Sequence, residues 1–243
     1  MIRTIEEMSM NAWPSRETVL YDGWVLRFND GYTRRANSIN PLYPSTLDVK
    51  TKITYCKRLY TSRNLRPIYK ITHQVNPLDL DEVLSDHEYR REAETSVQTL
   101  PITADIHETG HRVKISEVVD EQWIRRFMSM NQMPDDNFRV IASMLHRIAT
   151  PKCFASIIRE GEIIACGIGV IENHAVGLFD IVVDPHLRKQ GLGTQLVFGI
   201  LDWARSQRVT SAYLQVMIDN APAMAMYAKM GFSEVYRYWY RVG

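Results

Sequence analysis

The run Val183-Asp-Pro-His-Leu-Arg188-Lys189-Gln190-Gly191-Leu192-Gly193-Thr194 decides how this chain is read. Before it lies Ala175 to Val183, a mostly apolar stretch rich in β-branched residues, as expected for a central strand. After it, the spacing predicts a helix from about Gly191 to Arg208, with Leu196, Val197, Ile200, Leu201 and Ala204 on one face. A strand therefore leaves its sheet through a glycine-rich turn that opens a helix. The first N–H groups of such a helix have no intrahelical partner and point, with the helix dipole, at whatever lies in front, ideally a phosphate. Gly191 and Gly193 allow the backbone to approach closely and to take positive φ. Arg188 adds a full charge on a forked donor.

Three phosphate chemistries compete for this turn. A Walker loop needs a lysine directly before Ser or Thr, and here Thr194 follows Gly193. A dinucleotide fingerprint needs a third glycine and an early place in a βαβ unit. Coenzyme A is the third reading, and the flanking context bears on it.

Working outward, the first half predicts a helix from Arg3 to Trp13 and a hairpin in which Trp24 to Phe28 turns at Asp30-Gly31 and returns from Tyr32 to Ile39. A helix from Ser45 to about Ser62, a strand over 67–72, a short helix over 80–84 and a strand over 89–100 follow. Thr103 to His111 is polar and without period, and the domain boundary is placed there. His107 and His111 have helical metal-ligand spacing, but Gly110 intervenes and no third ligand is near, so they read as linker histidines. The second half predicts helices over 121–130 and 138–148, a hairpin of strands 154–158 and 163–170, the central strand, the long helix, a strand over 212–218, a helix over 222–230 stopped by Gly231, and a last strand over 232–242. Both halves run hairpin, helix, strand, short helix, strand, which reads as an internal repeat of one α/β scheme.

Composition narrows the function classes. Lys plus Arg is 29 and Asp plus Glu 28, a net charge of +1, so no bulk field draws the chain to nucleic acid or an anionic membrane, and any anion is held by local geometry. The apolar stretches fall short of a membrane span, and the start, MIRTIEEMSMN, lacks the apolar core of a signal peptide. Cys56, Cys153 and Cys166 read as free thiols in a reducing cytoplasm.

The context on both sides of the turn resembles the GNAT superfamily of acyl-CoA-dependent N-acetyltransferases. Its signature is a strand ending Val-x-Pro, then Arg/Gln-x-x-Gly-x-Gly/Ala at a helix start, then Asn-x-x-Ala-x-x-x-Tyr-x-x-x-Gly-Phe. Here the second part reads Asn220-Ala-Pro-Ala223-Met-Ala-Met-Tyr227-Ala-Lys-Met-Gly231-Phe232, beginning 27 residues after Gly193. Leu178 to Gly193 looks most like the branch that acetylates ribosomal-protein N-termini. The resemblance covers residues 110–243; residues 1–105 resemble the degenerate GNAT-like domain that precedes the catalytic one in some bacterial members. There the comparable turn is Asn40-Pro-Leu-Tyr-Pro44, and proline has no N–H to give a phosphate.

The resemblance implies two tandem GNAT-like α/β domains, each a mixed, mostly antiparallel sheet flanked by helices, with 110–243 catalytic. It implies acetyl-CoA as co-substrate, no metal, and an amine acceptor, either a small molecule or a peptide; a homodimer stays open. Backbone groups of Ile181 and Val183 would pair with the pantetheine arm. Arg188 and the N–H groups of Lys189, Gln190, Gly191, Leu192, Gly193 and Thr194 would hold the pyrophosphate. Asn220 would bond the arm, and Tyr227 would protonate the leaving thiolate. Taken alone, Tyr227 reads first as a packed core residue, and Asn220 can be a helix cap.

The general base is the gap. The resembling branch carries a glutamate where Gln215 stands, and glutamine takes no proton. Another branch uses a glutamate near the position of Gly177. Asp180, Glu172 and His174 are the nearby titratable groups, and Asp180 in an apolar strand needs a reason. Holding a lysine-like amine neutral at pH 7 costs about 4.6 kcal/mol, against about 1.1 kcal/mol for an α-amine. A site with no strong base suits the second. The competing function is an acyl-CoA-binding sensor or regulatory module that does not turn over. The alternating end, Tyr236 to Tyr240, reads either as a groove lining, with Tyr238 or Trp239 facing the acceptor, or as a packed last strand.

Overall fold

The computed structural model describes residues 1–102 and 113–243. The boundary segment and both linker histidines fall outside the described residues. By compactness the chain divides into two units. The first gathers Met1–Val97 with Val216–Asn220 and Glu234–Gly243; the second gathers Gln98–Gln215 with Ala221–Ser233.

In the first unit, α1 (Ile2–Ala12) precedes β1 (Glu17–Tyr21), β2 (Trp24–Phe28), β3 (Ile39–Pro41), α2 (Val49–Thr61), β4 (Ile68–Thr72), α3 (Leu80–Asp86) and the start of β5 (Arg90–Pro101). The strand order is β1-β2-β3-β4-β11-β5, where β11 is Ser233–Val242. The β3–β4 contact is parallel; β1–β2, β2–β3 and β4–β11 are antiparallel. The hairpin differs from the sequence expectation. It joins β1 to β2 through Asp22-Gly23, whose φ values of 41° and 81° suit a two-residue turn matched to strand twist. Asp30-Gly31 also takes positive φ but opens a longer loop back to β3. Strand β1 was missed because its outer face is polar and its edge position leaves Leu20 77% exposed.

Helix α2 starts at Val49, and its cap is Asp48, not Ser45: the Asp48 carboxylate accepts from Thr51 N at 2.9 Å. Ser45 instead donates to Asp22 O at 2.8 Å. Trp24, Leu26, Ile53, Tyr60, Tyr69, Ile71 and Leu84 form the core between α2, α3 and the sheet. The opposite face is polar. Glu6 of α1 pairs with Lys70 at 2.5 Å and accepts from the Tyr236 hydroxyl at 2.7 Å, while Lys70 lies 3.9 Å from the Tyr238 ring centroid. Each buried charge here has a partner, as burial requires. Tyr238 and Trp239 are both buried in this unit, so the C-terminal strand is packed on both faces.

In the second unit, β6 (Val113–Ser116), α4 (Glu121–Met130), α5 (Phe138–His146), β7 (Lys152–Arg159), β8 (Glu162–Glu172), β9 (Ala175–Val183), α6 (Leu192–Ser206), β10 (Ser211–Met217) and α7 (Ala221–Lys229) follow the predicted order, with β6 added. Strands β6 to β9 are antiparallel neighbours, and β9–β10 is parallel. All five predicted face residues of α6, Leu196, Val197, Ile200, Leu201 and Ala204, are buried. Gly199 lets α6 meet β6, since a Cβ there would stand 2.5 Å from Val113. On the other side Trp123 of α4 stacks on Phe127, meets Phe154 edge-on and donates from Nε1 to Ala155 O at 3.1 Å. With helices against both faces, β9 can be apolar throughout. The three cysteines are free and buried. Among the described residues, no helix is long and apolar enough to cross a membrane.

The carboxyl of Asp22 is held well below the usual range, first by the Leu47 N–H and then by Thr46 and the Lys52 ammonium. A depressed carboxyl stabilises the fold fully above its unfolded pKa near ~3.9 and loses that contribution as pH falls below it. We therefore expect Asp22→Asn to lower the urea midpoint at pH 7. The further drop in midpoint between pH 5 and pH 2.5 should be smaller in the variant, as read by paired denaturation curves.

Candidate active site

The ladder between β9 and β10 pairs Ala175–Leu178 with Ser211–Leu214 and ends there, while β9 runs on to Val183. At the same point β9 changes register against β8: Ile168 faces Phe179, whereas Cys166 faces Val182. The extra residue is a β-bulge at Asp180, whose φ is 50°. This supplies the reason that the sequence lacked for a carboxylate in an apolar strand. Asp is one of the few residues that takes the left-handed region at modest cost. The bulge lies two residues beyond the last β9–β10 pair, Leu178 with Leu214, so past it β9 runs on without its parallel partner.

Beyond the bulge, Ile181 and Val183 are half-buried. Asp184 closes the strand: its N–H bonds Ile164 O at 2.9 Å, and its Oδ1 accepts from His186 N at 3.0 Å to cap the short turn Pro185–Leu187. Arg188, Lys189, Gln190 and Gly191 are exposed. Arg188 Nε reaches back to Val183 O at 3.5 Å. Lys189 and Gly191 have φ of 64° and 78°, and Gly191 stands at the N-cap of α6. The N–H groups of Leu192, Gly193 and Thr194 precede the first helical bond, Gln195 N to Gly191 O at 3.0 Å, and so lack intrahelical partners. The Leu192 side chain is core, 1% exposed, so its only offer to a ligand is its backbone.

The two glycines do different work. A Cβ on Gly191 would meet nothing closer than Gln195 Nε2 at 3.9 Å, so what requires glycine there is the positive φ. A Cβ on Gly193 would stand 3.1 Å from Met226 Sδ and 3.7 Å from Val183 Cγ2. Gly193 thus lets the start of α6 close on α7 beside the residue next to Tyr227.

Tyr227 is 7% exposed, with its ring edge-on to Phe232 at 5.6 Å. Among the described residues its hydroxyl meets no hydrogen-bond partner. Desolvation pushes its pKa up to about 12. Burial pushes the Cys153 thiol in the same unit to about 12 as well. Asn220 is exposed, lies in the first unit and directly precedes α7. Its N–H bonds Met217 O at 3.0 Å.

Two base candidates are removed by distance. Glu172 and His174 lie at the turn before β9, eight or more residues from its exit, roughly 25–30 Å at strand rise. Gly177 is not simply a missing glutamate. A Cβ there would stand 2.6 Å from both Cζ and the hydroxyl of Tyr213, and 2.5 Å from Phe179, so aromatic rings fill the room an acid would need. Gln215 is half-buried on β10, just past the end of the ladder. The parting of two strands around the arm was implied by the family resemblance; sequence reasoning missed the bulge and the structural part of Asp184. Asp180 was the one visible signal. Among the described residues no group of three His, Cys, Asp or Glu is placed to hold a metal.

Residues 1–241 match the family described as "Probable histone acetyltransferase Rv0428c C-terminal". The chain is 26% identical to the uncharacterized N-acetyltransferase YobR of Bacillus subtilis, over 99% of this chain and 98% of that protein. It is 34% identical to the ribosomal protein bS18 alanine N-acetyltransferase of Escherichia coli over 76 residues, 31% of this chain and 51% of that protein. In structure it is similar to a GCN5-related N-acetyltransferase from Kribbella flavida, with TM-score 0.71, 15% identity and coverage of 99% of this chain and 94% of that one. A tandem GNAT protein from the clavulanic acid biosynthesis pathway aligns with TM-score 0.68 at 13% identity, covering 98% of this chain and 87% of that one.

Because an alanine at φ near 78° is strained by about 1–2 kcal/mol and a β-branched residue by more, Gly191→Val should reshape the turn without a steric clash. Calorimetric titration of the folded variant is expected to show loss of coenzyme A binding, with a circular dichroism spectrum like that of the unaltered protein.

Proposed function

The chain belongs to the family of the Rv0428c C-terminal acetyltransferases, within the GNAT superfamily, and on that premise we propose that it is an N-acetyltransferase that uses acetyl-CoA to acetylate an amine by direct attack. The observation that carries this reading is the slot between β9 and β10 beyond Leu178 and Leu214, which ends at the open, glycine-led start of α6. An extended thiol-bearing arm fits the slot by adding its own amides to Ile181 and Val183. The pyrophosphate fits the backbone N–H groups from Lys189 to Thr194, with Arg188 beside them.

The neutral amine nitrogen attacks the thioester carbonyl carbon, forming the C–N bond. The oxyanion that develops is met by a backbone N–H of β9 near the bulge, a preorganised donor where charge appears. Collapse breaks the C–S bond. Tyr227 gives its proton to the departing sulfur and regains one from the acceptor nitrogen through solvent. With Asp180 read as the bulge residue and Glu172 and His174 distant, no strong base is assigned among the described residues, and the acceptor is one that is substantially neutral at working pH, such as a peptide α-amine or a small amine of low pKa. The relation to the alanine N-acetyltransferase of Escherichia coli supports a peptide N-terminus.

We assign the cofactor to the second half alone, with the first half a degenerate GNAT-like domain. Two features of the first unit support this. The parallel β3–β4 contact has a single register pair, Ile39 with Tyr69, and beyond it Pro41 O is taken by Asn76 N at 3.1 Å while Trp24 Nε1 donates to Asn76 O at 2.9 Å. The chain itself therefore fills the place that the arm takes in the second unit. In front of α2, the N–H groups of Thr46 and Leu47 are already bound to the Asp22 carboxylate at 3.0 and 2.9 Å. Titration with coenzyme A should give one site per chain; two sites would sink the assignment.

The half-buried Gln215 favours one other reading, a binding module without turnover. Release of free thiol from acetyl-CoA with a panel of amines separates the two. If Tyr227 is the acid, Tyr227→Phe should lower kcat by roughly 10²–10⁴-fold with little change in the Kd for acetyl-CoA. Gln215→Leu should cost much less. The rising limb of kcat/KM against pH should follow the acceptor's own amine pKa, moving upward for a more basic acceptor.

A further inference from the structure

We propose that Arg126 is a positioning residue for the phosphate turn, acting by neutralising the carboxylate of Asp184. The proposal rests on the reading that this turn holds the pyrophosphate of coenzyme A. Asp184 is needed where it stands, because its backbone ends β9 and its Oδ1 caps the short turn that leads into Arg188 and Gly191. That need sets a full negative charge, about one-fifth exposed, in the segment that must receive an anion. Like charges close together in a partly desolvated site cost affinity, and the cost is screened by salt only in part.

Arg126 answers this from α4. Its Nη2 lies 3.3 Å from Asp184 Oδ2, and its Nε donates to Ile163 O at 2.9 Å, the carbonyl beside the one that accepts the Asp184 N–H. The backbone bond fixes the guanidinium plane, so the charge does not swing away. Glu162 also lies near Arg126, but at 3.8 Å and 67% exposed it competes weakly. The two Asp184 oxygens are thus divided: one shapes the turn and the other is cancelled.

The test is a set of coenzyme A affinities measured by calorimetry on the full chain at low and high salt. Arg126→Met should weaken binding about tenfold at low salt and less at 0.5 M salt, and Arg126→Lys should keep most of the affinity. Adding Asp184→Asn to Arg126→Met should recover most of the loss. Asparagine keeps the oxygen that caps His186 N and removes the charge. Asp184→Asn alone, the variant least at risk in folding, should bind as tightly as the unaltered protein or tighter. A double variant as weak as Arg126→Met, or weaker binding by Asp184→Asn alone, would show that Arg126 is only a structural staple and overturn the proposal. Failure of the unaltered protein to bind coenzyme A overturns the underlying reading and the proposal together.

Discussion

The parallel ladder between β9 and β10 stops after four residue pairs, and the chemistry proposed for the second unit depends on that stop. Parallel strands that stay paired offer nothing to a ligand, since every backbone group is used. Strands that part leave a row of donors and acceptors that another extended chain can meet in the manner of an added strand. The parting is enforced by the bulge at Asp180. One extra residue on β9 bends it away from its neighbour while the β8 ladder resumes on the far side. The same bend aims the end of β9 at the N-terminus of α6, so the slot and the phosphate turn are consequences of one local irregularity.

Much of this was legible in the sequence. The apolar run, the glycine turn and the amphipathic helix fixed the β9–α6 unit almost to the residue, because burial on both faces and a left-handed glycine each leave a strong local mark. The second helix of the signature, α7, was placed for the same reason, with Gly231 ending it. Strands β1 and β6 left weaker marks. Each is short and lies at the edge of its sheet, and none of its side chains is fully buried, so alternation fades. The first hairpin went wrong because two Asp-Gly pairs stand eight residues apart, both with positive φ. Local turn chemistry cannot choose between them; pairing across the sheet does.

The catalytic reading was less legible, for a different reason. Glu172 and His174 are close to Asp180 in sequence, but a strand converts each residue into more than 3 Å of distance. The absence of an acid at residue 177 reads from sequence as a lost base, whereas in the fold it is space given to the Tyr213 ring. Tyr227 runs the other way. Burial alone favours a packing residue, and desolvation raises its pKa to about 12, so the acid role proposed for it rests on its place in the Asn220 to Phe232 pattern and not on its surroundings.

The two halves give opposite solutions to one electrostatic problem. In front of α2 and of α6 alike, backbone N–H groups lack helical partners and favour negative charge. In the first unit the chain supplies that charge itself. Asp22, brought in by the β1–β2 turn, binds Thr46 and Leu47, and the buried Lys52, 4.1 Å from the Trp24 ring centroid, balances it. In the second unit Asp184 caps His186 N with one oxygen and pairs with Arg126 through the other, and the first N–H groups of α6 follow an exposed loop without intrahelical partners. A carboxylate kept in front of a helix stabilises the fold and excludes a free anion. A carboxylate held to one side and cancelled leaves the helix able to bind one, and the price is a glycine turn with no side chain to satisfy it from within.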